Sequence, residues 1–294
     1  MATVVVFGGG GFLGRRLVDR LTADGRIEMR SMGFERLTVI AADVRDQASV
    51  AAAIREADAV VNAVSAYVEK GGVTFEAVHV RGAENVAREA AAARVARLVL
   101  VSGIGADPDS SSPYIRARGR GELLVRQAFP RATIVRPGAM FGPGDALFGT
   151  LAALARLLPA LPLIGGGSTR LQPIFVEDVA EAISSILSDP GTVGRTYELA
   201  GPKVYTLQEL VNITLQLMGK RRLLVPIPFA VAEVKARLFE FLPNPPLATG
   251  QVDLLKTDNV ASGALPDVQD LGIQPKTIEE VIPTYIGPRA PGLR

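Results

Sequence analysis

Short apolar runs alternate with amphipathic stretches through the first half of this chain. Residues 4–7 (VVVF) are an unbroken, largely β-branched run, the pattern of a central strand buried on both faces. After a glycine turn, Phe12, Leu13, Leu17, Val18 and Leu21 fall at helical spacing and form one apolar stripe. The alternation then recurs. It predicts a strand over 37–42 (LTVIAA) ending at Asp43, a short helix over 49–56, a strand over 59–64 (AVVNAV) and a long alanine-rich helix over 76–93. A strand over 97–102 (RLVLVS), a helix over 114–128 and a strand over 132–136 (ATIVR), stopped by Pro137, follow. Strands separated by helices predict an α/β fold with a doubly wound parallel sheet.

One interval breaks the pattern. A second strand is expected over 27–32 (IEMRSM), yet only residues 33–36 separate it from the strand over 37–42. A parallel crossover needs roughly a dozen residues. Either the sheet lacks a regular second strand, or residues between about Arg30 and Leu37 are left out of the chain; crossover geometry favours the omission, with an abnormally long Cα to Cα step there.

Past residue 145 the pattern changes. Residues 147–158 predict an apolar helix, 164–167 (IGGG) a turn, 171–180 a strand entering a helix, and 196–199 a further strand. Thr206 and Glu209 form a capping box that opens a helix to Met218. The stretch 229–242 is amphipathic and ends at Asn244-Pro-Pro246, and the tail from Ile286 is expected to be loose. The expected division is a nucleotide-binding core of residues 1–146 plus 172–192 and a small C-terminal α/β lobe of 147–171 plus 193–294, meeting substrate or partner.

Composition removes several chemistries. The chain has 294 residues, no cysteine and a single histidine, His79. Disulfides, zinc–thiolate sites and cysteine nucleophiles are therefore excluded, and no metal site is expected. No G-x-S-x-G elbow accompanies His79, which reads as a helix residue without chemistry. The net charge of +2 comes from dispersed arginines, so nucleic-acid binding is not indicated. The most apolar stretch, 147–164, is interrupted by Arg156, Pro159 and Pro162, which argues against a membrane-spanning helix. The chain opens on its first strand with no room for a targeting peptide, so a cytoplasmic location is expected.

The chemistry concentrates at the first turn. Gly8, Gly11 and Gly14 follow the first strand at three-residue spacing, and Gly9, Gly11 and Gly14 also satisfy G-x-G-x-x-G. Such glycines permit a tight turn, close backbone approach to a pyrophosphate, and packing of helix on strand, while the helix N-terminus attracts the anion. A dinucleotide is the expected ligand.

Together with Asp43-Val44, Asn62-Ala63-Val64-Ser65, Val101-Ser102, Tyr114, Arg136-Pro137 and 176–180 (VEDVA), this motif resembles the extended and atypical short-chain dehydrogenase/reductases nearly end to end. Segments 64–69 (VSAYVE), 102–107 (SGIGAD), 114–122 (YIRARGRGE), 136–145 (RPGAMFGPGD) and 170–180 (RLQPIFVEDVA) are similar to the nucleotide-binding accessory subunit of respiratory complex I and its bacterial relatives. The resemblance implies a Rossmann core, with Gly11, Phe12 and Leu13 offering backbone N–H groups to the pyrophosphate. It implies Asp43 and Val44 at the adenine, Asn62, Ala63, Val64 and Ser65 along the adenosine ribose side, Ser102 near the cofactor, and Pro137 to Met140 at the nicotinamide.

An NAD site of this type carries an acidic residue at the end of the second strand; here that region offers Arg30 and Ser31, and Arg15 follows Gly14 directly. A guanidinium can hold a 2′-phosphate through two parallel hydrogen bonds, so NADP(H) is favoured over NAD(H). The superfamily's catalytic Tyr-x-x-x-Lys is represented by Tyr114 and Arg118, a non-conservative replacement. The usual substrate-orienting serine or threonine is Ile104, which has no side-chain donor. Three readings stay open: a cofactor-holding subunit with reduced catalysis and a protein partner on its C-terminal lobe, an active NADP-dependent oxidoreductase or epimerase using Tyr114, and an NADP(H) redox sensor. Likewise Phe229, Val231, Val234, Leu238, Phe239, Phe241 and Leu242 either dock on a partner or membrane surface, with Lys235 and Arg237 at the headgroups, or pack over the substrate cleft.

Overall fold

In the computed structural model, residues 3–23, 40–239 and 249–287 are described. They form two compact units. The first comprises Met1–Pro137, Val176–Leu199 and Ser262–Gln274; the second comprises Gly138–Phe175, Ala200–Ala261 and Pro275–Arg294.

The first unit is built on a parallel sheet of β1 (Val4–Phe7), β2 (Ala59–Asn62), β3 (Arg97–Val101), β4 (Thr133–Pro137) and β9 (Thr196–Leu199), hydrogen-bonded in that order. On one face α1 (Phe12–Ala23) packs on α6 (Val176–Ser188), with Arg16 facing Glu177 at 3.6 Å and Arg20 bonded to Glu181 at 2.9 Å. On the other lie α2 (Gln47–Ile54), α3 (Ala83–Ala92) and α4 (Pro113–Ala128). Their apolar sides close a core containing Val50, Ile54, Val60, Val86, Ala87, Leu98, Val125 and Ile134. The expected α/β doubly wound architecture is therefore present.

Several expectations need correction. The 37–42 strand is absent over its described residues: Ile40 to Ala42 pair with nothing in the sheet, and Ile40 is 53% exposed. Consequently β1 is an edge strand among the described residues, and Val4, Val5 and Val6 are only half-buried. The strand expected over 27–32, Arg30 and Ser31, and the proposed long step all fall outside the described residues. The helix expected over 76–93 is two segments, a π-helical turn over Glu76–Gly82 followed by α3. Residues 196–199 belong to the first unit, not to a C-terminal lobe, because β9 completes the sheet beside β4. The first unit also ends at Pro137, earlier than residue 146, and regains Ser262–Gln274, where Pro266 accepts the Glu198 backbone N–H at 3.0 Å.

In the second unit, β5 (Met140–Phe141) pairs with β8 (Ile174–Phe175), and β7 (Arg170–Leu171) pairs with β10 (Tyr205–Thr206). β6 (Ala160–Ile164) lies parallel to β11 (Leu223–Ile227), backed by α5 (Ala146–Leu157) and α7 (Leu207–Leu217). The Thr206–Glu209 capping box is formed as expected. Asp145 caps α5, accepting from Phe148 N–H at 2.6 Å, and Tyr285 donates to the same carboxylate at 2.7 Å. α8 (Phe229–Phe239) and α9 (Thr249–Leu254) follow. Among the described residues, no helix is long and apolar enough to cross a membrane.

Candidate functional site

The site grows from the turn between β1 and α1. Gly8 has φ of +83°, a left-handed conformation that side chains resist, and a Cβ there would stand 2.9 Å from the Ala63 carbonyl. A Cβ on Gly14 would stand 2.0 Å from the Gly8 carbonyl oxygen, which only glycine permits. The loop after β1 and the loop after β2 thus meet backbone to backbone. Of the two overlapping glycine patterns, the one with Gly8 and Gly14 at its ends carries the turn. Gly11 plays a different part from that expected: its N–H donates to the Gly8 carbonyl at 2.9 Å and closes the turn. The N–H groups of Phe12 and Leu13 open α1, where a helix has no intrahelical acceptors to offer, and Arg15 is exposed beside them.

Asn62 ends β2 with its side-chain oxygen accepting from Val64 N–H at 3.2 Å. Asp43 is gripped by Arg45 (Nη2 to Oδ2, 2.6 Å), whose hydrogen bonds hold its pKa below the ordinary carboxylate value. Val44 is buried in the core, and its carbonyl accepts from Asn85 at 3.0 Å. Beside them a polar cleft of about 520 Å³ opens between Asp43, Arg45, Asp46 and Gln47 on one side and Ala77, Arg81, Glu84 and Asn85 on the other.

A second group of residues gathers around α4. Tyr114 is 6% exposed, and its ring is enclosed by Tyr67 (stacked, 5.6 Å between centroids), Phe75 and His79 (each edge-on, 5.4 Å). Arg118, one turn later, lies over the same ring at 4.9 Å and donates to Ser65 Oγ at 2.8 Å. Burial raises the Tyr114 pKa well above its ordinary value, and the Arg118 charge offsets this only in part. α4 approaches the π-helical turn so closely that a Cβ on Gly121 would stand 1.9 Å from the His79 carbonyl oxygen.

His79, expected as a helix residue without chemistry, is a buried member of this cluster. It is 7% exposed, its Nε2 lies 2.9 Å from the Ala66 carbonyl, and burial followed by the Arg118 charge lowers its pKa to about 3. His79, Arg118, Ser102, Asn62 and Val64 line a cavity of about 10 Å³, room for a single water. Ser102 Oγ and Arg118 Nε are buried there without hydrogen-bond partners. Such orphaned groups, beside a glycine turn, suit a polar ligand that supplies the missing acceptors and donors.

The site residues named from the sequence thus converge in the first unit, except two. Arg30 lies outside the described residues, and Met140 belongs to the second unit, where it opens β5. Pro137 ends β4, and its carbonyl accepts from Ile104 N–H at 3.1 Å. Sequence reasoning missed Tyr67, Phe75 and the packing of His79. Gly119 and Gly121 inside a helical pattern were the available signal, because interior helix glycines mark a close neighbour.

The family model described as the NAD dependent epimerase/dehydratase family matches residues 4–200. The chain belongs to that family. Subunit 9 of the NADH dehydrogenase [ubiquinone] 1 alpha subcomplex of Arabidopsis thaliana is 33% identical over 93% of this chain and 74% of its own length. A ceramide reductase of Caulobacter vibrioides is 31% identical over 89% and 86%. Among solved structures, a dTDP-glucose 4,6-dehydratase from Streptomyces venezuelae with NAD and TYD bound superposes with a TM-score of 0.72 at 20% identity, over 97% of this chain and 95% of that one. The first unit is thus the NAD(P)-binding Rossmann core of an extended short-chain dehydrogenase/reductase of the epimerase/dehydratase family.

Proposed function

We propose that this protein holds NADP(H) in the site of its first unit as a complex I accessory-type member of the family, with hydride transfer through Tyr114 suppressed. The observation that carries this reading is the pair Tyr114–Arg118. Where the superfamily places a lysine, this chain has a buried guanidinium bonded to Ser65; its charge lowers the Tyr114 pKa, but burial under Tyr67, Phe75 and His79 outweighs it, so the phenol holds its proton tightly. A proton donor whose pKa lies far above the operating pH is a weak general acid.

The residues suited to the dinucleotide are the Phe12 and Leu13 N–H groups at the pyrophosphate, the cleft beside Asp43 and Asn85 at the adenine, and Ser102 with Arg118 at the orphaned end. When bound, the nicotinamide supplies a hydride donor or acceptor; this chain's own residues orient and shield it. The preference for NADP(H) is supported by Arg15, exposed directly after Gly14, and by Asp43, whose carboxylate is already committed to Arg45. Protein partners are proposed for the second unit, by analogy with relatives named as complex I subunits.

The deciding experiment is native mass spectrometry of the freshly purified protein with the released ligand identified, followed by binding titrations. Co-purified NADP(H) and a clear preference for NADPH over NADH support the reading. An empty site that takes both equally removes the arginine argument. A second reading, a working reductase on an apolar carbonyl substrate, is favoured by the Caulobacter relative's name and coverage. NADPH oxidation that depends on an added long-chain ketone and disappears in Tyr114→Phe would establish it.

A further inference from the structure

Four groups enclose the Tyr114 ring, and they differ in how each is held. Phe75, His79 and Arg118 are themselves buried, so the interior of the first unit keeps them in place. Tyr67 is 47% exposed, with its ring stacked on Tyr114 at 5.6 Å and 25° between the planes. It is therefore the one wall of the enclosure that can leave without disturbing the core.

The backbone around Tyr67 is divided in the same way. On one side the Ala66 carbonyl lies 2.9 Å from His79 Nε2. On the other, Glu69 accepts the Phe75 N–H at 2.7 Å, and Lys70 and Val73 exchange both backbone hydrogen bonds around Gly71, whose φ is +58°. Between these anchors Tyr67 and Val68 make no hydrogen bond among the described residues, and Val68 is exposed too. Stacking on Tyr114 is what holds the Tyr67 ring down, a modest attachment for one aromatic pair.

Tyr114 can protonate a carbonyl only when that oxygen lies within hydrogen-bond distance of its hydroxyl. Hydride from the reduced cofactor then adds to the carbon, the phenolic proton passes to the oxygen, and solvent reprotonates the phenolate as alcohol and oxidised cofactor leave. We propose that Tyr67 is a lid that decides whether a carbonyl substrate reaches Tyr114. The proposal rests on the reading of Tyr114 as the family's proton donor held in check, and it names the side chain that holds it. Because burial is the largest cause of the raised Tyr114 pKa, opening the lid also makes the phenol a readier acid.

Hydroxyl-radical footprinting with peptide mass spectrometry reads the exposure of each ring. In the parent, Tyr67 should be labelled and Tyr114 protected. Tyr67→Ala should raise Tyr114 labelling about eightfold, the ratio of the 47% and 6% exposures of the two rings, with His79 still protected. Tyr67→Phe keeps a ring in place and should keep Tyr114 protected. The chain has no cysteine, so Tyr67→Cys supplies a single thiol; Tyr114 should be labelled in it, and protected again once benzyl methanethiosulfonate has added a ring there. A Tyr114 that is labelled in the parent as strongly as Tyr67, or stays protected in Tyr67→Ala, overturns the proposal. So does labelling of His79 alongside Tyr114 in the variants, since Tyr67 would then be holding the fold and not covering one ring. NADPH-dependent ketone reduction that appears in Tyr67→Ala and vanishes when Tyr114→Phe is added supports lid and reading together. A Tyr114 that is opened yet reduces no ketone fails the reading of Tyr114 as donor, not the lid.

Discussion

His79 makes the acid sensitivity of this protein predictable, because it is the sole histidine and is held neutral. Its pKa is about 3 in the folded chain against 6.5 for the free side chain. Between these values the unfolded chain binds a proton that the folded one refuses, so stability is complete above about pH 6.5 and falls as the pH drops towards 3. The slope approaches about 1.4 kcal/mol per pH unit, and integration from pH 7 to pH 5 gives a loss of about 2 kcal/mol. A His79→Gln variant keeps every carboxylate of the parent, so the difference between the two slopes isolates the histidine signal. The assay is urea denaturation at fixed ionic strength at several pH values, for the parent and for His79→Gln. Absolute stabilities of the two are expected to differ, since the glutamine would repack beside Tyr114; only the slopes are compared. The parent should lose about 2 kcal/mol between pH 7 and 5 and the variant little. Equal slopes, or a histidine ring proton that titrates near pH 6.5 in the NMR spectrum of the folded protein, would refute the buried, neutral assignment.

The other expectations are briefer. Gly14→Ala should destabilise by several kcal/mol, on the order of 3 or more, and abolish dinucleotide binding, because its Cβ would collide with the Gly8 carbonyl; thermal melts with and without NADPH check this. Glu122→Gln should cost about 3 kcal/mol, since it leaves Arg136, bonded to Glu122 at 2.6 Å, with only the 3.9 Å contact to Glu198; urea unfolding measures it. Tyr114→Phe should leave NADPH affinity within about twofold of the parent in isothermal titration, whereas a catalytic tyrosine would show its loss in turnover. Arg15→Gln should weaken NADPH binding about tenfold and NADH binding hardly at all; equal losses would show that Arg15 does not read the 2′-phosphate.

What was legible in the sequence was local. Gly8, Gly14 and the stripe from Phe12 to Leu21 lie within one strand-turn-helix unit, so their spacing alone reports the geometry. The Thr206–Glu209 capping box is equally self-contained. The misplaced elements depend on partners far along the chain. The run at 37–42 is apolar enough for a strand, but among the described residues Ile40 to Ala42 pair with nothing, and the short connection from residue 32 is read instead as a sign of omitted residues. β9 reads like any edge strand; only its register with Ile134 to Pro137 assigns it to the first sheet. The enclosure of Tyr114 was hidden for the same reason. It requires the β2–α3 loop carrying Tyr67 and Phe75 to fold over α4, and no periodicity within either segment encodes that contact.

Arg118 ties these observations into one physical problem. The guanidinium stays charged at every pH at which the protein folds, and it is 7% exposed. Among the described residues no carboxylate stands within ion-pair distance of it; its bonded neighbours are the neutral hydroxyls of Ser65 and Tyr114, and its Nε lacks a partner. Burying a cation costs several kcal/mol; the charge of Glu122, one turn further along α4, offsets part of it, and an acceptor reaching the cavity beside Ser102 would satisfy Nε. An arginine keeps its proton, so on the function proposed above Arg118 acts as a fixed charge that a bound ligand can satisfy. On the function proposed above, this one position would both weaken acid catalysis at Tyr114 and favour a charge-bearing cofactor.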